Sequence, residues 1–253
     1  MRKLFRGLRN QINRARELIH GKRGRRWTTH RARAIFVSSM PRTIQPELLD
    51  TLPPLDPDAI HSRRDLRIIN RFMGNHRWLE KTLRSLVRTG ERVLEIGAGT
   101  GELAHRLRNK GFLADSLDLL PPPENWPDSA TWHSIDLRSF NRYGEYPVVL
   151  GNLIFHHLDE NELAKLGFEL RQNARLIIAC EPARVRFWQF VIRTLGPLFG
   201  ANHVTLHDAQ VSIAGGFSND ELPRALGLEE ADWKIDRSAG LLGGYRMVAT
   251  RRA

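Results

Sequence analysis

The stretch Val93-Leu94-Glu95-Ile96-Gly97-Ala98-Gly99-Thr100-Gly101 sets three glycines at alternate positions, after an apolar run and directly before a helical pattern. Glycines let a backbone turn sharply and approach a bound molecule where a Cβ would collide. The spacing Gly-x-Gly-x-Gly differs from Gly-x-Gly-x-x-Gly, the dinucleotide fingerprint that seats a pyrophosphate on a helix N-terminus. An acid, Glu95, also stands just ahead of the first glycine, and it suits an ammonium-bearing ligand better than one carrying phosphates. Two more carboxylates close β-rich runs: Asp118 in Ser116-Leu117-Asp118-Leu119, and Asp136 in Ile135-Asp136-Leu137. The first can accept hydrogen bonds from vicinal ribose hydroxyls. The second can accept from the exocyclic amine of an adenine while Leu137 packs on the ring. A further run ends at Gly151-Asn152-Leu153. Taken singly, each acid is better read as a helix cap or a solvated turn residue.

After Asn152 the chain continues Leu153-Ile154-Phe155-His156-His157-Leu158. Neutral imidazole titrates near neutrality and suits general-base work, so His156 and His157 are candidate catalytic residues; packing or loop closure is the structural alternative. No metal site is expected, because adjacent side chains diverge and nothing nearby in the chain supplies further ligands. A second candidate lies in Asn202-His203-Val204-Thr205-Leu206-His207-Asp208. His207 beside Asp208 would make an oriented base, and Asp208 would equally cap a following segment. Gly215-Gly216 permits a moving lid or makes a plain turn. Glu181-Pro182 is expected to border an acceptor pocket.

These groups need elements to hold them. From residue 92 the pattern alternates strand and helix: strands at 92–96, 112–119, 131–137, 147–153 and 174–180, with helices at 102–109, 159–171 and 185–195 between or after them. A short helix at 219–226 and an antiparallel pair at 233–237 and 245–251 complete the chain. Such alternation means a doubly wound parallel sheet, with ligands beyond the carboxyl ends of its strands. Two helical stretches precede it, at 59–72 and 76–88, broken by Gly74-Asn75; five prolines mark 41–59 as a linker or wrapping segment.

With the glycine loop and both later carboxylates at strand ends, residues 92 to about 182 resemble the core of class I S-adenosylmethionine (SAM)-dependent methyltransferases. The resemblance implies a Rossmann-like seven-stranded sheet of order 3-2-1-4-5-7-6 with strand 7 antiparallel, and an N-terminal helical lid. It implies SAM as cofactor, with Glu95, Gly97, Gly99 and Gly101 around its methionine part, Asp118 at the ribose, Asp136 at the adenine and Asn152 near the methyl. Ala98, Leu119, Leu137 and Leu153 would adjoin them. A longer similarity, through Ala179-Cys180-Glu181-Pro182-Ala183 to Gly243-Gly244-Tyr245-Arg246-Met247, is to bacterial small-molecule methyltransferases. It implies a hydrophobic or aromatic acceptor methylated on a hydroxyl or carbon. Phe187, Trp188 and Phe190 would line its pocket or simply pack, and 200–228 would form a cap over it.

Three alternatives remain open at this level. A Rossmann oxidoreductase shares the fold pattern. An RNA methyltransferase would use the basic N-terminal arm on phosphates, although Gly151-Asn152-Leu153-Ile154 lacks the Asp/Asn-Pro-Pro-aromatic run usual in exocyclic-amine methylating enzymes. A non-catalytic SAM-binding protein is the third.

The formal charge of +11 resides entirely in residues 1–39, which hold twelve Lys/Arg and one acid, Glu17. The remainder is net neutral, so the high pI says nothing about the fold. Leu4, Leu8, Ile12 and Leu18 recur at helical spacing among arginines, and such a helix reads as a membrane-surface contact through residues 1–20, a targeting segment or a basic tail; a start at Met40 is a further reading. We therefore divide the chain into a basic extension (1–39), a linker with lid helices (40–90) and the methyltransferase domain (91–253). The single cysteine, Cys180, excludes an internal disulfide and fits a reducing, cytoplasmic compartment.

Overall fold

Strands buried on both faces of a parallel sheet must be apolar throughout, and the segments around 93, 148 and 176 meet that demand. A computed structural model describes residues 40–252 apart from 54 and 241; the predicted N-terminal helix, with its membrane contact, lies outside the described residues. The strands are β1 (Arg92–Ile96), β2 (Leu113–Asp118), β3 (Trp132–Ser134), β4 (Val148–Asn152), β5 (Leu176–Pro182), β6 (Trp233–Ala239) and β7 (Gly244–Arg251). They form one sheet in the order β3-β2-β1-β4-β5-β7-β6. The first five are parallel, with Val93 beside Ala114 and Val148, and Val148 beside Leu176. β7 runs antiparallel to both β5 and β6. This is the predicted topology.

The helices are α1 (Leu48–Thr51), α2 (Pro57–Met73), α3 (Asn75–Leu86), α4 (Glu102–Arg108), α5 (Glu160–Asn173), α6 (Arg186–Leu195), α7 (His203–Gly215) and α8 (Glu221–Ala225). The period of two along each strand splits the core. Val93, Val148, Leu150 and Ile178 face Leu79 and Leu83 of α3 and Leu103 and Leu107 of α4. Leu94, Val149 and Ile177 face Leu163 and Leu170 of α5 and Leu222 of α8. Local chemistry sets the helix ends. Asp56 caps α2 with Pro57 at its first position, and Gly74 closes it in the left-handed conformation. Asp159 and Glu162 make a reciprocal capping box on α5.

Three elements depart from the sequence reading. β3 ends at Ser134 rather than Leu137, because the Asp136 carboxylate takes the Arg138 amide and turns the chain. The stretch around 203–215, within the expected cap and given no element from sequence, is the helix α7, and its buried residues include Thr205 and Asp208 as well as Val204 and Val211. Because that helix is covered on several sides, its apolar residues form no single stripe. The proline-rich stretch also holds a short helix, α1. No helix among the described residues is long and apolar enough to cross a membrane.

Gly167 shows how tightly α5 packs on the turn after α8. A Cβ there would stand 2.2 Å from the Leu226 carbonyl oxygen. Glycine-to-alanine in a helix interior ordinarily gains about 1 kcal/mol. At this contact Gly167→Ala is expected instead to lose about 1–3 kcal/mol in urea unfolding, the usual cost of overpacking; a stabilised variant would contradict the contact.

Candidate functional site

All five parallel strands finish on one edge of the sheet, and the acids identified from sequence gather there. Each holds backbone amides of a neighbouring loop. Glu95 is buried, and its Oε2 accepts from the Ala104 amide in the first turn of α4 at 2.8 Å. Asp118 lies across the loop: its Oδ2 accepts from the Gly99 amide at 2.7 Å and its Oδ1 from the Leu120 amide at 2.9 Å. Each Asp118 oxygen keeps a lone pair for another donor. The loop itself turns through left-handed Gly97, Gly99 and Gly101. Gly97 is required for a second reason, since a Cβ there would stand 2.5 Å from the Ile154 side chain.

Leu119 beside Asp118 is 70% exposed, an apolar surface next to a carboxylate, whereas Leu137 packs against the core. Asp136 is held by Arg138, through its amide at 2.8 Å and its guanidinium at 3.1 Å; Arg138 also reaches Glu162 at 2.6 Å. At the end of β4, Asn152 joins two lid residues. Buried Asn75 donates to its Oδ1 at 3.1 Å, and its own amide donates to Asn70 at 3.3 Å. Leu153 follows with φ +61°, a costly conformation for a branched side chain, and its amide bonds the Cys180 carbonyl at 2.8 Å. The lid helices therefore meet the strand end through Asn70 and Asn75, while Arg71 and Arg77 are exposed.

The histidines are placed very differently from one another. The turn Phe155–His157 is a short 3-10 helix, and the amides at its start are claimed by Glu181, fully buried at the end of β5. Glu181 accepts from the amides of Ile154 (3.0 Å), Phe155 (3.1 Å) and His156 (3.2 Å), and from His156 Nδ1 at 2.7 Å. His156 Nε2 lies 3.4 Å from Glu47 Oε1. Burial opposes the imidazolium, but the hydrogen bonds to Glu181 and Glu47 outweigh it and raise His156 to about 9. Nδ1 is thus bonded to Glu181, while Nε2 faces Glu47. His157 is part-exposed, and burial and the charge of His156 lower it. His207, on α7, is 43% exposed with Nδ1 3.0 Å from Asp208. Asp208 also caps α1, accepting from the Leu48 amide at 2.7 Å and the Leu49 amide at 3.0 Å; the segment it caps precedes it in the chain.

Sequence reasoning missed the strap that carries Glu47. Residues 40–52 lie along α7 and the histidine turn. Arg42 donates to the carbonyls of Gly215 (2.8 Å) and Leu158 (2.7 Å) and stacks on Phe217, and Thr43 bonds Ala214. Ser212 donates to Glu47. The proline content signalled wrapping, but nothing in the local pattern named its docking partners. Phe187 and Phe190, expected to line a pocket or pack, are 50% and 65% exposed on α6, which contributes no buried residue.

No family model matches the chain, and no curated protein matches it. Solved structures do share its fold. The plantazolicin methyltransferase BpumL in complex with SAH superposes with a TM-score of 0.59 at 13% identity, over 78% of this chain and 92% of that one. The Burkholderia thailandensis 1,6-didemethyltoxoflavin-N1-methyltransferase, with bound 1,6-didemethyltoxoflavin and S-adenosylhomocysteine, gives 0.52 at 16%, over 78% and 86%. The pyocyanin biosynthetic protein PhzM gives 0.52 at 16%, over 78% and 60%. The architecture is therefore the Rossmann-like fold of class I SAM-dependent methyltransferases.

Burial pushes the Glu95 carboxyl up to about 8, and nearby Asp118 adds to this against the Ala104 hydrogen bond. Between about pH 4.5, where the unfolded group ionises, and about pH 8, the folded form binds more protons than the unfolded. Stability therefore falls as pH rises across that window. Glu95→Gln keeps an acceptor for Ala104 and removes the ionisation. Its melting temperature should match the wild type near pH 5 and exceed it above about pH 8; a variant equally destabilised at both would show that Glu95 is not a buried charge.

Proposed function

We propose that this chain binds SAM at the carboxyl edge of the sheet and transfers its methyl group to a hydroxyl or carbon of a small, hydrophobic or aromatic acceptor. The observation that carries this reading is Asp118. Its carboxylate touches the Gly99 amide of the glycine loop and stands beside exposed Leu119. A ribose diol can bond its remaining lone pairs while the adenine lies on Leu119, with Leu137 and Asp136 next along the edge. The methionine end then follows Gly97, Ala98, Gly99 and Gly101 above Glu95. The methyl points toward Asn152 and Leu153, where the Asn70 and Asn75 amides close the site from the lid.

SAM supplies an activated sulfonium, so the protein's task is to hold an acceptor in line and exclude water. Positioning of this kind is worth roughly 7–11 kcal/mol. The lid helices α2 and α3 and the strap over α7 supply the walls. A phenol or acidic carbon also needs a base. His156 is assigned to holding the turn after β4, because its Nδ1 is bonded to buried Glu181. His207, exposed and backed by Asp208, is the histidine we assign to proton removal. The acceptor-cap role of 200–228 falls to α7 and its flanking turns. The RNA-methylating and non-catalytic readings gain no support from the described residues.

Calorimetry with SAM tests the reading, together with labelled-methyl transfer to fractionated cell extract and product identification by mass. Wild-type protein should bind SAM, and Asp118→Ala should weaken binding by about 1.5–3 kcal/mol, the range for a hydrogen bond to a charged group. Unchanged affinity would remove Asp118 from the site. Binding without transfer to any fraction would favour a non-catalytic protein, and label appearing in RNA would favour the nucleic-acid reading.

A further inference from the structure

The sequence reading expected adjacent histidines to diverge. In the 3-10 turn they do not: the rings of His156 and His157 lie 4.2 Å apart between centroids. Glu47, more than a hundred residues earlier, enters the same space from the strap. One ligand atom from each of Glu47, His156 and His157 can be chosen so that all three lie within 4.8 Å of one another. Glu47 Oε1 stands 3.4 Å from His156 Nε2 and 3.9 Å from His157 Nε2.

We propose that Glu47, His156 and His157 form a binding site for a divalent first-row transition-metal ion of the zinc or cobalt class. Ligands held about 2.0–2.1 Å from a tetrahedral ion are separated by roughly 3.3–3.4 Å. The Glu47–His156 edge already has that length at 3.4 Å; the Glu47–His157 edge, at 3.9 Å, and the His156–His157 edge, within 4.8 Å, close by movement of the part-exposed His157 ring.

Three features outside the triad point the same way. His156 turns Nδ1 toward the buried Glu181 at 2.7 Å, the carboxylate-behind-imidazole arrangement that fixes a metal-binding tautomer and leaves Nε2 toward the ion. Three backbone amides hold Glu181 in place in turn. Ser212 fixes the ligating oxygen of Glu47, and Asp208 fixes the backbone that follows it. Ligation requires both imidazoles neutral, so an ion displaces the proton that Glu47 and Glu181 hold on His156; the two buried carboxylates then leave −2 for a divalent ion to neutralise. Imidazole nitrogens select borderline transition metals over magnesium or calcium. Three protein ligands leave a fourth position for a water or a substrate oxygen, as in metal sites of that ligand count. The exposed Asp50 carboxylate lies 3.9 Å from His157 Nδ1, placed to orient that ring. The inference does not depend on SAM binding, and its test reads the metal alone.

Purified, tag-free full-length protein, stripped with chelator and exchanged into metal-free buffer, is titrated with cobalt(II) and followed by its visible absorption bands. The expected result is one equivalent of cobalt giving the intense bands of a four- or five-coordinate site, abolished by one equivalent of zinc. Glu47→Ala and His157→Ala should each lose these bands while keeping the wild-type far-ultraviolet circular dichroism. Glu181→Gln should weaken the site roughly 10–100-fold, as losses behind a ligating imidazole do. A wild-type protein that stays colourless at high micromolar cobalt overturns the proposal, as do bands that persist unchanged in Glu47→Ala and His157→Ala.

Discussion

Five parallel strands ending on one edge leave their following loops without regular partners, and in this protein carboxylates supply them. Glu95 takes the amide that opens α4, Asp118 takes Gly99 and Leu120, Asp136 takes Arg138, and Glu181 takes three successive amides after β4. A buried acid is costly unless it is hydrogen-bonded. The same bonds therefore both offset the cost of burying the carboxyl groups and define the loop. The rest of the site inherits its shape from this exchange. The glycine loop is pinned between Glu95 beneath and Asp118 beside it, and the histidine turn is pinned by Glu181.

The second tier of organisation is the contact of the strap with α7. Asp208 gives α1 the cap that its own Glu47 does not supply. Arg42 fills the carbonyl-lined groove between α7 and the histidine turn. A proline-rich segment thereby delivers Glu47 to His156. Arg246 plays a comparable part on the far side of β7, bonding the Met73 carbonyl and stacking on Trp78, which ties the junction of the lid helices to the sheet. The polar groups around the proposed site are thus held by elements that come from widely separated parts of the sequence.

That separation explains what the sequence disclosed. The strands were legible because burial on both faces demands apolar runs such as Val148-Val149-Leu150, and because glycines and acids punctuate their ends. The order β3-β2-β1-β4-β5-β7-β6 followed from the family likeness of the glycine loop with Asp118 and Asp136, and would not have followed from periodicity alone. The helix α7 was illegible because it is enclosed: with Asp208 and Thr205 buried, its hydrophobic residues make no one-sided stripe. The pairing of His156 with Glu181 and Glu47 was illegible for a different reason. Its partners sit 25 residues later and 109 residues earlier, and no local rule connects them. Likewise, the conjunction of His207 and Asp208 was visible as neighbours in the chain, while the service of Asp208 to α1 was not.

The central claim is that the Asp118 end of the carboxyl edge receives the adenosyl group. A crystal structure of the protein grown with S-adenosylhomocysteine tests it most directly. The account predicts ribose hydroxyls within hydrogen-bonding distance of the Asp118 carboxylate, adenine lying against Leu119, and the sulfur directed toward Asn152. An adenosyl group bound away from Asp118, or crystals that take up a nicotinamide or flavin at this edge and refuse S-adenosylhomocysteine, would contradict it.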